Sequence, residues 1–223
     1  MGGGGLACLP AGDVEAVSVS GEFSAPPAAV MSGSSDVVVK VRETVDRWMK
    51  RRVDLFVHMD SLRNGSPWEP SRFVDEVHRS ELRSHTQALR ADLASLGTAA
   101  DEFLGTMTDI AATQDGALRQ ELERRVMNPA RAIIVVEKRY VALELERLAL
   151  VDELIELSGA KAPRWNTATG AFAFEGGAAM RYDGIVRRSN ALGKQIDDAW
   201  HEMHVVFDDF VAKIHSASGA TVP

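Results

Sequence analysis

Between Leu82 and Ile110 the apolar residues recur at steps of three and four: Leu89, Leu93, Leu96, Ala100, Phe103, Met107 and Ile110 continue the row that Leu82 begins. Only a backbone turning every 3.6 residues gathers that spacing into a single stripe; on a strand, where side chains alternate, the same residues would scatter over both faces. A long amphipathic helix is the consequence, running from just after Pro70-Ser71 to about Ala112. Thr86 at one seam position and Gly97 beside the seam weaken it only locally.

Three further stretches carry the same signature. Ser35 or Asp36 suits the cap of a first helix, Val37 to Leu62, with Val38, Val41, Val45, Trp48, Leu55, Met59 and Leu62 at heptad spacing. Asn64-Gly65-Ser66-Pro67 ends it, because Gly suits a C-terminal cap and Pro cannot continue a helix. The third helix, Asp115 to Leu157, holds two apolar rows, Ile134, Val141, Leu148, Ile155 and Val136, Leu143, Leu150, Leu157, so it is expected to touch neighbours on two sides. Pro129 lacks a backbone donor and crowds the preceding turn, which predicts a kink near Met127. A fourth helix, Ala179 to Ser216, carries Ile185, Leu192, Ile196, Ala199, Met203, Val206 and Phe210, with Trp200, Phe207 and Ile214 on an adjoining stripe. The Gly-rich link before it, around Trp165, Phe172 and Phe174, is long enough for a short hairpin.

The fold expected is all-α: an elongated antiparallel bundle or coiled coil of three long helices plus one shorter N-terminal helix. Helices of about 40 residues span about 60 Å if straight, and stripes left uncovered along such rods favour a homodimer. Residues 1–35 are rich in Gly, Ala, Ser and Pro without helical period and are expected to form a disordered leader. Residues 36–217 form the helical coiled-coil domain, and 218–223 a disordered tail.

Composition narrows the function. A net charge of −7 argues against a surface built wholly for nucleic acid, so no nucleic-acid partner is expected. One cysteine, Cys8, excludes an internal disulfide framework and fits a cytoplasmic protein. No run approaches the about 18 apolar residues of a spanning helix. Met1-Gly2 followed by Cys8 has part of a dual-acylation signal, but Leu6 stands where the acceptor pattern wants Ser or Thr.

Catalytic constellations are absent from the pattern. The glycines at 2–5 and Gly176-Gly177 lack the Lys-Ser/Thr of a phosphate loop. His201, His204 and Asp208 share a helical spacing that permits metal ligation, yet the histidines stand three apart rather than the four of the zinc-protease motif, and a solvated acidic face accounts for them. No Gly-x-Ser-x-Gly elbow occurs. The expectation is a non-enzyme with no cofactor and no metal.

Charge is segregated along the chain. Lys40 to Arg52 holds six basic against two acidic residues, Arg119 to Arg139 six against three, and Lys161 to Lys194 six against two, whereas Asp197 to Asp209 holds five acidic residues and no Lys or Arg. Two readings stay open: basic patches for an anionic membrane, at about 1 kcal/mol per Lys or Arg, or an ordinary ion-paired helix surface.

Over residues 71–216 the order of long helices resembles the BAR domain. Phe73 through Leu89, Leu93 and Ala100 looks like that family's first long helix, with Leu89-Arg90-Ala91-Asp92-Leu93 close to its leucine-x-lysine-aspartate-leucine step. The proline-kinked third helix is similar to the family's second, and Asn190-Ala191-Leu192 with Ile196 and Trp200 resembles its third. Glu144 to Asp152 departs from the family's basic run and aspartate-tyrosine-aspartate step. The resemblance implies a crescent-shaped dimer that binds or senses curved anionic membranes. By carry-over its lipid-facing residues are Arg124, Arg125, Arg131, Lys138 and Arg139, with Lys161, Arg164, Arg187 and Arg188 nearer a distal tip and Phe172 and Phe174 as a wedge into lipid. The alternative is a cytosolic coiled-coil subunit of a protein complex, using the same stripes to bind partner helices. The helix Val37 to Leu62 has no counterpart in the BAR scheme.

Overall fold

The computed structural model describes residues 35–64, 70–161 and 163–216. In chain order these are α1 (Ser35–Arg63), a 3₁₀ turn (Pro70–Val74), α2 (Glu76–Ala112), α3 (Gly116–Leu122), a π-helical turn (Glu123–Met127), α4 (Asn128–Lys161), β1 (Arg164–Asn166), β2 (Ala171–Ala173) and α5 (Gly177–Ser216). The all-α expectation holds, with a two-stranded hairpin as the only sheet among the described residues. Apart from Ser35, the expected leader and tail lie outside the described residues, as do Gly2 and Cys8.

Local chemistry sets the helix ends. The Asp75 carboxylate accepts hydrogen bonds from the backbone N–H groups of Val77 at 2.7 Å and His78 at 3.3 Å. These bonds hold its pKa below the ordinary value, and they start α2 at Glu76 after the 3₁₀ turn has taken up Pro70–Val74. Asp115 caps α3 in the same way, accepting from the Leu118 N–H at 2.8 Å. Asp115→Ala is expected to lower stability by about 1 kcal/mol, while Asp115→Asn, which keeps the acceptor, stays close to wild type. Thermal unfolding followed by circular dichroism distinguishes the two.

The expected kink takes the form of a π turn. The Asn128 N–H donates to the Glu123 carbonyl, five residues back, so the ladder widens immediately before Pro129. In α register the proline ring would meet the carbonyl of Arg125, four residues earlier; a wider turn relieves that clash and absorbs the missing donor.

Contacts group the described chain into two compact units. The first comprises 57–64, 70–94, 140–161 and 163–198; the second comprises 35–56, 95–139 and 199–216. In the second unit Trp48 stacks on Phe103 at 4.3 Å and meets Phe210 edge-on at 6.3 Å, inside a core that includes Val45, Met107, Ile133 and Ile134. In the first, Leu82, Leu89 and Leu93 of α2, Leu148 and Ile155 of α4 and Leu192 of α5 are all buried. Within this unit α4 pairs with three neighbours, through Arg63–Glu144 to α1, Arg90–Asp152 to α2 and Arg188–Glu153 to α5. In the second unit it does so again through Arg52–Glu137, Lys138–Asp101 and Arg139–Glu202. That is why α4 needs apolar rows wider than a two-helix seam.

The hairpin belongs to the first unit. Arg164 pairs with Ala173, Trp165 with Phe172 and Asn166 with Ala171. The Asn166 side-chain oxygen accepts from the Ala168 N–H at 3.0 Å, and Gly170 sits at φ 60°, the left-handed conformation that favours glycine. Phe172 is buried at the hub of an aromatic cluster, with ring centroids 6.0 Å from Phe73, 5.1 Å from Trp165, 5.9 Å from Phe174 and 5.8 Å from Tyr182.

Candidate interaction surface

Charged groups occur inside each unit as well as on its outside, and the inner pairings decide which side chains are free for chemistry. In the second unit Arg52 of α1 and Glu137 of α4 are both buried, 5% and 2% exposed. Arg52 Nε donates to Glu137 Oε2 at 2.5 Å, and its guanidinium carbon lies 5.3 Å from the Trp48 ring, 5.7 Å from Phe56 and 5.6 Å from Phe207. The carboxylate neutralises the cation, and three π faces solvate what the carboxylate leaves uncovered. Burial raises the Glu137 pKa, with Arg52 opposing the shift.

In the first unit Arg63 Nη2 donates to Tyr140 Oη and to Glu144 Oε1, both at 2.9 Å, and Arg147 Nη2 holds Glu144 Oε2 at 2.6 Å. Burial, reinforced by the Glu144 charge, moves the Tyr140 pKa well above that of a free phenol. A tyrosine so placed stays protonated, and it is a poor base and a poor nucleophile. Both networks pin α1 against α4.

Sequence reasoning missed all six of these residues. Charged side chains in a helical repeat are read as solvated unless a partner is known, and the two members of the Arg52–Glu137 pair stand 85 positions apart. One signal was legible: Glu137, Tyr140 and Glu144 continue the helical spacing of Ile133 on α4, on the face shown to be buried.

The lipid-facing residues carried over from the resemblance fall in both units. In the second, Arg124, Arg131, Lys138 and Arg139 are exposed and Arg125 is half-buried. Four of the five hold carboxylates: Arg125 pairs with Glu121 at 2.9 Å, Arg131 with Glu123 at 2.7 Å, Lys138 with Asp101 at 3.4 Å and Arg139 with Glu202 at 2.9 Å. In the first unit Lys161, Arg164, Arg187 and Arg188 are exposed, and Arg188 pairs with Glu153 at 2.6 Å. The Arg187 Nε donates to the Asp183 carbonyl at 3.3 Å, within its own helix. Phe172 faces the aromatic core, so it does not stand on the surface as a wedge; Phe174 is half-buried, 5.2 Å from Tyr182.

The outer face shared by α4 and α5 in the first unit has a different character. Arg188–Glu153 ties the two helices side by side. Glu146 and Glu156 are exposed on α4, and on α5 Arg187 and Lys194 are exposed with Asp183 one turn before and Asp198 one turn after them. Exposed Ala142, Ala149 and Ala191 leave this face low. Among the described residues no three or more His, Cys, Asp or Glu side chains are grouped so as to hold a metal ion, and the His204 ring nitrogen Nδ1 lies 2.9 Å from the Trp200 carbonyl of its own helix. Among the described residues no helix is long and apolar enough to cross a membrane.

Comparison of the chain with known protein families, with curated proteins and with solved structures finds no match in any of the three.

Proposed function

We propose that this chain is a non-catalytic helical scaffold that works through protein–protein contacts, beginning with a second copy of itself. The observation that carries this reading is the division of labour among side chains. Buried ionisable groups are locked into pairs that fasten helix to helix, while large apolar side chains stand out on helix faces: Met180 at 77% and Val57 at 64% exposed in the first unit, Val135 at 67% in the second. Apolar side chains left on helix faces are the material of interfaces. Light scattering on the full-length chain tests it. The expected mass is twice 24.2 kDa, and a monomer that also recovers no stoichiometric partner removes the reading.

A second reading, a BAR-like scaffold on anionic membranes, is favoured by one observation: Arg124 in the second unit and Lys161 and Arg164 in the first are exposed and make no ion pair among the described residues. It expects pelleting with phosphatidylserine vesicles at low salt, reduced by the Lys161→Glu/Arg164→Glu variant, since each cation near such a surface contributes about 1 kcal/mol. Absence of pelleting at low salt eliminates it.

A further inference from the structure

We infer that α1 is an exchangeable helix: in the self-associated form each copy lays its α1 on α2 and α4 of the other, through the contacts that α1 makes within its own chain. The inference rests on the self-association proposed above and assigns it an element.

The face through which α1 docks has the composition of a binding interface rather than of a helical seam. The seam of α2 buries leucines, among them Leu82, Leu89, Leu93 and Leu96. Beside Val41, Val45 and Met49, α1 buries Trp48 and Arg52 in the second unit, and it directs Arg63 onto Tyr140 and Glu144 in the first. Trp, Tyr and Arg carry most of the energy where separate proteins meet, whereas Leu is under-represented there. Charge on the same face is one-sided. Arg51 reaches Glu102 of α2 at 2.6 Å and Arg52 reaches Glu137 of α4 at 2.5 Å in the second unit; Arg63 reaches Glu144 of α4 at 2.9 Å in the first. Each time α1 supplies the cation and its neighbour the carboxylate. A helix that fits has to bring those cations, with aromatic rings one turn before and one turn after the buried one. Trp48-x-x-x-Arg52-x-x-x-Phe56 does so, and that pattern occurs once in the chain. The occupant that this face selects is α1, and a second copy carries an identical α1.

Two features let α1 leave its own chain. Among the described residues it is joined to the other helices at its C-terminal end alone, through residues 65–69, so nothing has to be unthreaded. Docking also leaves the Trp48 indole N–H and the Arg63 Nε buried without a hydrogen-bond partner. Part of what opening loses in contacts therefore returns as hydration of these donors and of the paired charges. Exchange then remakes each contact in trans, which makes it a low-cost route to a dimer. The Arg52–Glu137 pair is buried at both ends, so salt screens it little.

The experiment is cross-linking of the full-length chain in a Cys8→Ser background, with a bismaleimide and a denaturing gel. Arg51→Cys/Glu102→Cys places one cysteine on α1 and one on α2, at a solvent-exposed ion pair whose loss costs little stability. Lys138→Cys/Asp101→Cys is the control: it spans the α4–α2 contact, involves no α1, and is expected to be bridged within one chain in every case, which shows that the helices are folded and the reagent reaches them. For Arg51→Cys/Glu102→Cys the linked product is expected at twice 24.2 kDa rather than at 24.2 kDa. Chains carrying Arg51→Cys alone and Glu102→Cys alone, refolded together, are expected to give the same link between positions 51 and 102 of different chains. An internal link, or no link while the control forms, in a protein that sediments at twice 24.2 kDa overturns the inference and leaves the self-associating scaffold standing. A protein that sediments at 24.2 kDa overturns both.

Discussion

Glu137→Leu is expected to destabilise the protein by about 3–5 kcal/mol, because it strands the Arg52 guanidinium, 5% exposed, without its carboxylate and leaves the aromatic faces to stabilise its charge. The double variant Arg52→Met/Glu137→Leu removes both charges and keeps comparable volume, so it is expected to recover most of that loss. Urea unfolding of wild type, both single variants and the double variant gives the coupling energy directly. A loss below about 1 kcal/mol for Glu137→Leu would contradict the buried-pair description, since that is the range of an exposed ion pair.

The same carboxyl carries a pH dependence of determinable sign. Burial raises its folded-state pKa above the ordinary value despite Arg52, so its contribution to stability is fullest below the unfolded pKa and declines as pH rises through the folded one. Glu137→Gln cannot ionise. The stability of wild type relative to this variant is therefore expected to improve as pH falls through the carboxylate range, and a change in the opposite direction would show that Arg52 outweighs burial.

Phe172→Ala is the second large effect. Phe172 is 5% exposed and stands between Phe73, Trp165, Phe174 and Tyr182, so deletion of its ring opens a cavity that a two-stranded hairpin cannot close by collapse. The expected cost is about 3–5 kcal/mol, with a change in near-ultraviolet circular dichroism as the ring cluster loosens. Arg164→Ala, on the neighbouring exposed position, is expected within about 0.5 kcal/mol of wild type. If Phe172 served as a lipid wedge instead, its removal would leave stability unchanged and abolish vesicle binding.

Where one physical rule decides a residue's place, the sequence was legible. The α2 row from Leu82 to Met107 is buried at each position named for it, and Thr86 is buried in the seam with its hydroxyl donating to the Arg83 carbonyl at 2.9 Å. Pro129 announced the irregular turn that precedes it, since a missing donor and a steric clash act within one turn of helix. The Gly-rich link around Trp165, Phe172 and Phe174 announced room for a short hairpin, and its turn is made by Asn166 and by Gly170 at φ 60°.

What was not legible depends on partners distant in sequence. Arg139 is exposed, and nothing within its own helix reveals that Glu202 lies 2.9 Å away. A basic run such as Arg119 to Arg139 therefore overstates the positive surface that it leaves to an anionic partner. Phe172 shows the converse error, in which an aromatic residue in a Gly-rich link looks exposed until the ring of Phe73 from a segment about a hundred residues earlier is placed against it. Arg188 and Glu153 present the same difficulty, since nothing within either helix reveals the contact between them at 2.6 Å.

The claim on which the account turns is that helix surfaces, rather than a reactive cleft, are what this protein uses. Its most direct test is the mass of the untagged full-length chain at equilibrium in the centrifuge, taken over a salt series. A mass of twice 24.2 kDa is predicted across that series; a mass of 24.2 kDa at every concentration and every salt, with no stoichiometric partner recovered, would contradict it.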